Sequence, residues 1–136
     1  MTTNSPNNSF VRDGHLYIVP TLTSDVIGYP NVLGSPNPFT YNLTGCTDTN
    51  LTNCGAVSNA SANTVIPPVM SARIHTLNHY AIRYGRVEIS AKLPRGDWLW
   101  PALWMLPVND TYGPWPRSGE IDIMEARGNG PEYQAQ

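Results

Sequence analysis

Gly119-Glu120-Ile121-Asp122-Ile123-Met124-Glu125 interleaves three carboxylates with apolar residues. Such alternation marks a β-strand with one polar face, and it decides the fold class. Residues two apart in a strand share a face, so Glu120 and Asp122 point the same way. Glu125 stands five positions after Glu120 and falls on the opposite face of a regular strand. One extra residue in a β-bulge restores the parity and gathers all three acids on one side. Like charges placed side by side cost stability. A catalytic pair of carboxylates in different protonation states, one nucleophile or base and the other an acid, would explain that cost. The alternative is the solvated face of an antiparallel sheet.

The flanks weigh on the side of catalysis. Upstream stand Trp98, Trp100-Pro101-Ala102-Leu103-Trp104 and Pro114-Trp115-Pro116. Tryptophans beside an acidic strand suit a flat, amphipathic ligand. Sugar rings have that character, since their axial C–H faces stack on indole while carboxylates take the hydroxyls. A carbohydrate cleft is the expectation, with at least one of the four tryptophans serving as plain core.

The longer pattern is more specific. It comprises Tyr84-Gly85-Arg86-Val87-Glu88, Lys92-Leu93-Pro94-Arg95-Gly96-Asp97-Trp98-Leu99-Trp100-Pro101-Ala102-Leu103-Trp104-Met105-Leu106-Pro107 and Trp115-Pro116-Arg117-Ser118-Gly119-Glu120-Ile121-Asp122-Ile123-Met124-Glu125. It resembles glycoside hydrolase family 16, and within it the laminarinases (endo-β-1,3-glucanases) and the β-1,3-glucan-binding proteins. The likeness runs from about Ser71 to Asn129, with a weaker one from Asn8 to Thr23. It implies an all-β fold, a jelly-roll sandwich of antiparallel sheets of the concanavalin A-like kind, with a cleft across the concave sheet. Position by position, it implies Glu120 as nucleophile, Glu125 as general acid/base and Asp122 as the acid between them, which from the face of Glu120 can hold a proton or hydrogen bond that orients it. Retaining hydrolysis of this kind needs two carboxyl groups about 5–5.5 Å apart. Family members with one residue fewer between the second and third acids include lichenases and xyloglucan transglycosylases. The longer spacing here resembles the laminarinase branch and favours β-1,3-glucan, with mixed β-1,3/1,4-glucan as a secondary substrate. Trp104 and Trp115 match positions lining glucose subsites, and Arg73 resembles an arginine that hydrogen-bonds substrate. The resemblance leaves room for a structural calcium, for which no ligand set is evident, and implies no other cofactor. A non-catalytic glucan-recognition protein and a glucan transglycosylase are the competing functions; retention of Glu120, Asp122 and Glu125 favours the hydrolase.

Length qualifies this expectation. The chain has 136 residues, whereas sandwiches often run to about 200–250. Residues 1–136 are therefore expected to be the N-terminal portion of one catalytic domain, incomplete at its C-terminus and monomeric when complete. Charged residues are only 13% and the formal charge is −2, which leaves no case for a nucleic-acid or anionic-membrane partner. No apolar run approaches the roughly 18 residues of a membrane span. Cys46 and Cys54 enclose a short Thr- and Asn-rich segment and read as a disulfide of a secreted protein. No histidine stands at zinc-ligand spacing from them. Sequons at Asn7, Asn42, Asn50, Asn59 and Asn109 suit the same extracellular setting.

The remaining layout is coarse. Phe10 to Val19 predicts a hairpin turning at Asp13-Gly14. Thr23 to Pro68 has no sustained periodicity and predicts a long functional loop. Strands are predicted over Val69 to Thr76, Arg86 to Leu93, Trp98 to Leu106 and Gly119 to Ala126. His15, His75 and His79 are scattered singly, as surface histidines would be.

Overall fold

The computed structural model describes residues 1–46, 48, 50–97 and 99–128. The chain divides into two compact units, Met1–His75 and Thr76–Gln136.

In the first unit, β1 (Ser9–Arg12) and β2 (His15–Ile18) form the expected antiparallel hairpin. Asp13 and Gly14 have φ of 50° and 74°. Both central residues of a type I′ turn need positive φ, which Asp-Gly adopts at low cost. Phe10 and Tyr17 are register partners and stack at 5.0 Å, with the Arg12 guanidinium over both rings. The short β3 (Thr21–Leu22) then pairs with a strand far along the chain, described below.

The predicted loop from Thr23 to Pro68 is instead a run of short elements. These are α1 (Ser24–Ile27), α2 (Tyr29–Leu33), β4 (Phe39–Asn42), a 3₁₀ turn at Leu51–Cys54, β5 (Gly55–Ser58) and a 3₁₀ turn at Ala60–Ala62. Each is too short to impress a period on the sequence, and β4 finds β5 only across the intervening turn. The Cys46–Cys54 disulfide is formed, with Cα atoms 5.5 Å apart; Thr47 and Thr49 inside its loop lie outside the described residues. Within that loop, the Asn50 backbone N–H and the Asn53 amide hold the Asp48 carboxyl below the ordinary carboxylate range.

The predicted strand from Val69 to Thr76 shortens to β6 (Val69–Met70), the partner of β3. Ser71 continues only as a parallel bridge to Thr2, so beyond it the backbone has no ladder. Among the described residues, Val32, Ile66 and Met70 are the buried hydrophobic side chains. Buried polar groups around them are satisfied. The Asn8 amide donates to Val19 O and to Thr21 Oγ1 while its oxygen accepts from Thr3 Oγ1. Thr23 Oγ1 donates to Pro67 O at 2.7 Å. Such bonds tie distant segments where apolar burial is small.

Gly34 ends α2 in the left-handed region at φ 63°. A Cβ there would lie 2.5 Å from the carbonyl carbon of Ser58 and 2.6 Å from Asn59 N, backbone atoms that cannot give way cheaply. Gly34→Ala is therefore expected to lower stability by about 2–4 kcal/mol. Thermal melts of the two proteins measure this, and coincident melting would refute the tight contact.

In the second unit, β7 (Ala102–Met105) pairs antiparallel with β8 (Ile121–Glu125). Both are shorter than predicted. Pro101 lacks an N–H and ends β7 on one side; Trp98 lies outside the described residues. Gly119 enters β8 at φ 90°, outside the β region. The predicted strand from Arg86 to Leu93 is absent. Its alternation is real, and Arg86 and Glu88, two apart, form an ion pair. Yet no described strand supplies a ladder, and Val87, Ile89 and Leu93 remain 40–50% exposed.

The secondary structure is thus mainly β with a few short helices, in keeping with the all-β expectation. The described strands form four two-stranded sheets, not the multi-stranded layers of a sandwich. In the second unit Ile121 and Ile123 are 59% and 44% exposed, so no second layer covers that hairpin among the described residues.

Candidate active site

The register of β7 with β8 determines what the acids can do. Ala102 faces Glu125 and Leu103 faces Met124, but Trp104 faces Asp122, so the ladder skips Ile123. Ile123 is the extra residue of a β-bulge. Directly opposed residues share a face, as do residues two apart. Ala102, Trp104, Asp122 and Glu125 therefore stand on one side of the hairpin, and Leu103, Met105, Ile121 and Met124 on the other. Glu120, one step ahead of β8, carries the parity of Asp122. Without the bulge Glu125 would point away.

Two indole groups hold the glutamates. Trp115 Nε1 donates to Glu120 Oε2 at 2.6 Å, and Trp100 Nε1 donates to Glu125 Oε1 at 2.7 Å. The loop carrying Trp115 is pinned locally. Ser118 Oγ accepts from Tyr112 N at 3.0 Å and donates to Gly113 O at 2.7 Å. The backbone N–H groups of Arg117 and Gly119 donate to Pro114 O and Pro116 O, and the Trp115–Pro116 peptide is cis. On the other side, Ala126 N donates to Pro101 O and Gly128 N to Leu99 O at 2.7 Å. These bonds carry the pairing past the strand ends and fix the backbone on both sides of Trp100. The Arg127 guanidinium lies 5.8 Å from the centroid of the Trp100 ring.

The three acids are all exposed, and none takes part in a salt bridge among the described residues. Asp122 stands on the face of Glu120, whose Oε2 accepts from Trp115. Trp104 is half-buried on the acid-bearing face, while Trp115 is 67% and Trp100 60% exposed. Arg73 lies exposed in the other unit, just after β6. No group of three His, Cys, Asp or Glu side chains is placed to hold a metal ion among the described residues.

Trp100 was not singled out as a site residue by its sequence. The signal was present in the spacing, because Trp100, Ala102 and Trp104 share one parity and Ala102 faces Glu125. Chemically, the arrangement offers two exposed glutamates on one face, each with one oxygen engaged by an indole. Exposed aromatic surface stands beside them.

Residues 31–135 match the sequence model of the XgeA-like catalytic domain of glycoside hydrolase family 16. The chain is 48% identical over 130 residues to a β-1,3-glucan-binding protein of Penaeus monodon, covering 93% of the chain and 35% of that protein. It is 57% identical over 61 residues to glucan endo-1,3-beta-glucosidase A1 of Niallia circulans, covering 45% of the chain and 9% of that enzyme. A beta-glucanase of Rhodothermus marinus is 53% identical over 64 residues, covering 46% of the chain and 22% of the relative. The chain thus spans about a third or less of the length of these relatives. No solved structure matches it significantly.

Proposed function

Since the chain belongs to glycoside hydrolase family 16, in its laminarinase and glucan-binding branch, we propose that it carries the catalytic strand of a secreted retaining endo-β-1,3-glucanase. The observation that carries this reading is the β-bulge at Ile123, which turns Glu125 to the face of Asp122 and Glu120. A surface acidic strand has no need of such a bulge. Glucan would lie along this face against Trp104 and Trp115. Glu120 attacks the anomeric carbon as the bond to the departing oxygen breaks, and Glu125 protonates that oxygen. Glu125 then takes a proton from water, whose oxygen displaces Glu120 from the glycosyl ester. Two inversions leave the sugar with its original configuration. Asp122 adds negative potential beside the oxocarbenium-like transition state.

Residues 1–136 form the N-terminal part of the catalytic domain in this reading, and the complete domain is a monomeric jelly-roll sandwich. Support comes from the partial coverage of the relatives and from the exposed apolar residues of the β7–β8 hairpin. The disulfide and the exposed sequon residues Asn7, Asn42, Asn50 and Asn109 support secretion and glycosylation. No described helix is long and apolar enough to cross a membrane.

The test is release of reducing ends from a soluble β-1,3-glucan by the full protein. Rapid loss of viscosity with a ladder of short oligosaccharides is expected of endo-hydrolysis. Binding of the glucan without new reducing ends would transfer the protein to the recognition class. That second reading is favoured by one observation, namely that a relative matched over 93% of the chain is named a binding protein. Products longer than the starting chains would instead indicate transglycosylation.

A further inference from the structure

We propose that Trp115 and Trp100 assign the reacting oxygens of the two glutamates, making Glu120 Oε1 the attacking atom and Glu125 Oε2 the atom that carries the proton. This assignment rests on the functional reading above and deepens it.

A carboxyl group is symmetric until something distinguishes its oxygens. An indole N–H is a donor only. The oxygen it faces must accept, and in a protonated carboxyl the carbonyl oxygen is the stronger acceptor, so the O–H is favoured on the other oxygen. Trp100 donates to Glu125 Oε1, which makes Oε1 the carbonyl oxygen of the acid form and leaves the proton on Oε2. When the glycosidic bond breaks, that proton passes from Oε2 to the departing oxygen. Oε2 takes the proton from water in the second step. Trp100 stays bonded to Oε1 throughout, so the group need not rotate between its acid and base turns.

The same logic fixes Glu120. Trp115 donates to Oε2, leaving the lone pairs of Oε1 to form the bond to the anomeric carbon. In the resulting ester Oε2 is the carbonyl oxygen and still accepts the indole N–H. Hydrolysis breaks the Oε1–carbon bond and returns the electron pair to Glu120. Both donors are held by independent means. Ser118 pins the turn of Trp115, and the Arg127 cation beside the Trp100 ring adds a contact that restrains it. Trp100 and Trp115 are in this sense positioning residues, and Trp115 additionally offers its ring to substrate.

The test pairs Trp100→Phe and Trp115→Phe in the full protein, each keeping an aromatic ring and losing the N–H. Two substrates are compared by kcat/KM, soluble β-1,3-glucan and an aryl β-1,3-glucoside with a nitrophenolate-type leaving group that needs no protonation. Trp100→Phe is expected to lower glucan cleavage by about 10- to 100-fold and the activated substrate by less than about threefold. Trp115→Phe is expected to lower both alike, because both need the nucleophile. Equal losses on both substrates for Trp100→Phe would overturn its assignment, as would a loss confined to glucan for Trp115→Phe. Indole N–H resonances provide a readout independent of turnover. Glu125→Gln should move the Trp100 signal alone and Glu120→Gln the Trp115 signal alone; the absence of either response overturns that pairing. A wild-type protein that cleaves neither substrate overturns the functional reading, with the resonance test still deciding the pairings.

Discussion

Glu120→Gln is expected to reduce β-1,3-glucan hydrolysis by about 10³-fold or more while glucan binding persists. The amide has the shape of the carboxylate, and its oxygen can still accept the Trp115 indole N–H that now reaches Oε2 at 2.6 Å. What it lacks is a nucleophilic oxygen, so no glycosyl ester forms. A thousandfold loss corresponds to about 4 kcal/mol of transition-state stabilisation. The variant should be no less stable than its parent, because one of three like charges on a single hairpin face is removed. Reducing-end assays beside a thermal melt measure both quantities. A variant that melts normally and retains turnover would remove Glu120 from the nucleophile's role. One that loses turnover and melts far below its parent would show only that the position matters to folding.

The acidic strand was legible because its chemistry and its period are both local. Alternation across Glu120 to Glu125 gave the strand, and the parity conflict at Glu125 demanded a bulge; the register skips Ile123. The Asp13-Gly14 turn was equally local, since two positive φ values have few sequence solutions. Elements defined by distant partners were harder to read. Arg86 to Leu93 alternates as a strand should, but alternation specifies a face and not a neighbour, and no described strand pairs with it. The segment from Thr23 to Pro68 failed in the opposite way. Its β4–β5 pair and helical turns span three to five residues each, too few for a period to emerge from Pro, Asn and Gly. At the site, the indole bond to Glu120 could not be read from the sequence, because indole reach depends on the loop conformation that Ser118 stabilises. Trp100 shares its parity with Trp104, yet its donor role appears only once Ala102 is known to face Glu125.

Glu125→Ala should separate the two halves of the reaction. Glucan cleavage is expected to fall by about 10³-fold, because an alcohol-like leaving group departs poorly without a proton. A nitrophenolate-type leaving group needs none, so the activated substrate should still form the ester on Glu120. Water then lacks its base, and the ester should accumulate, giving a burst of phenolate followed by slow steady release. Added azide changes that outcome. It is a nucleophile that needs no deprotonation, and the shortened side chain leaves room for it on the face where Glu125 stood. Turnover of the activated substrate should recover, and the product should be the β-configured glycosyl azide. Configuration is the decisive observation. An azide attacking the Glu120 ester gives a second inversion and hence the β product. An α product would mean that azide had replaced the nucleophile itself, which would exchange the roles of the two glutamates. Recovery with β configuration, together with the dead Glu120→Gln variant, would fix both roles without reliance on the hairpin's geometry. Loss on both substrates with no rescue would leave Glu125 without an acid/base role and overturn the retaining assignment for this pair.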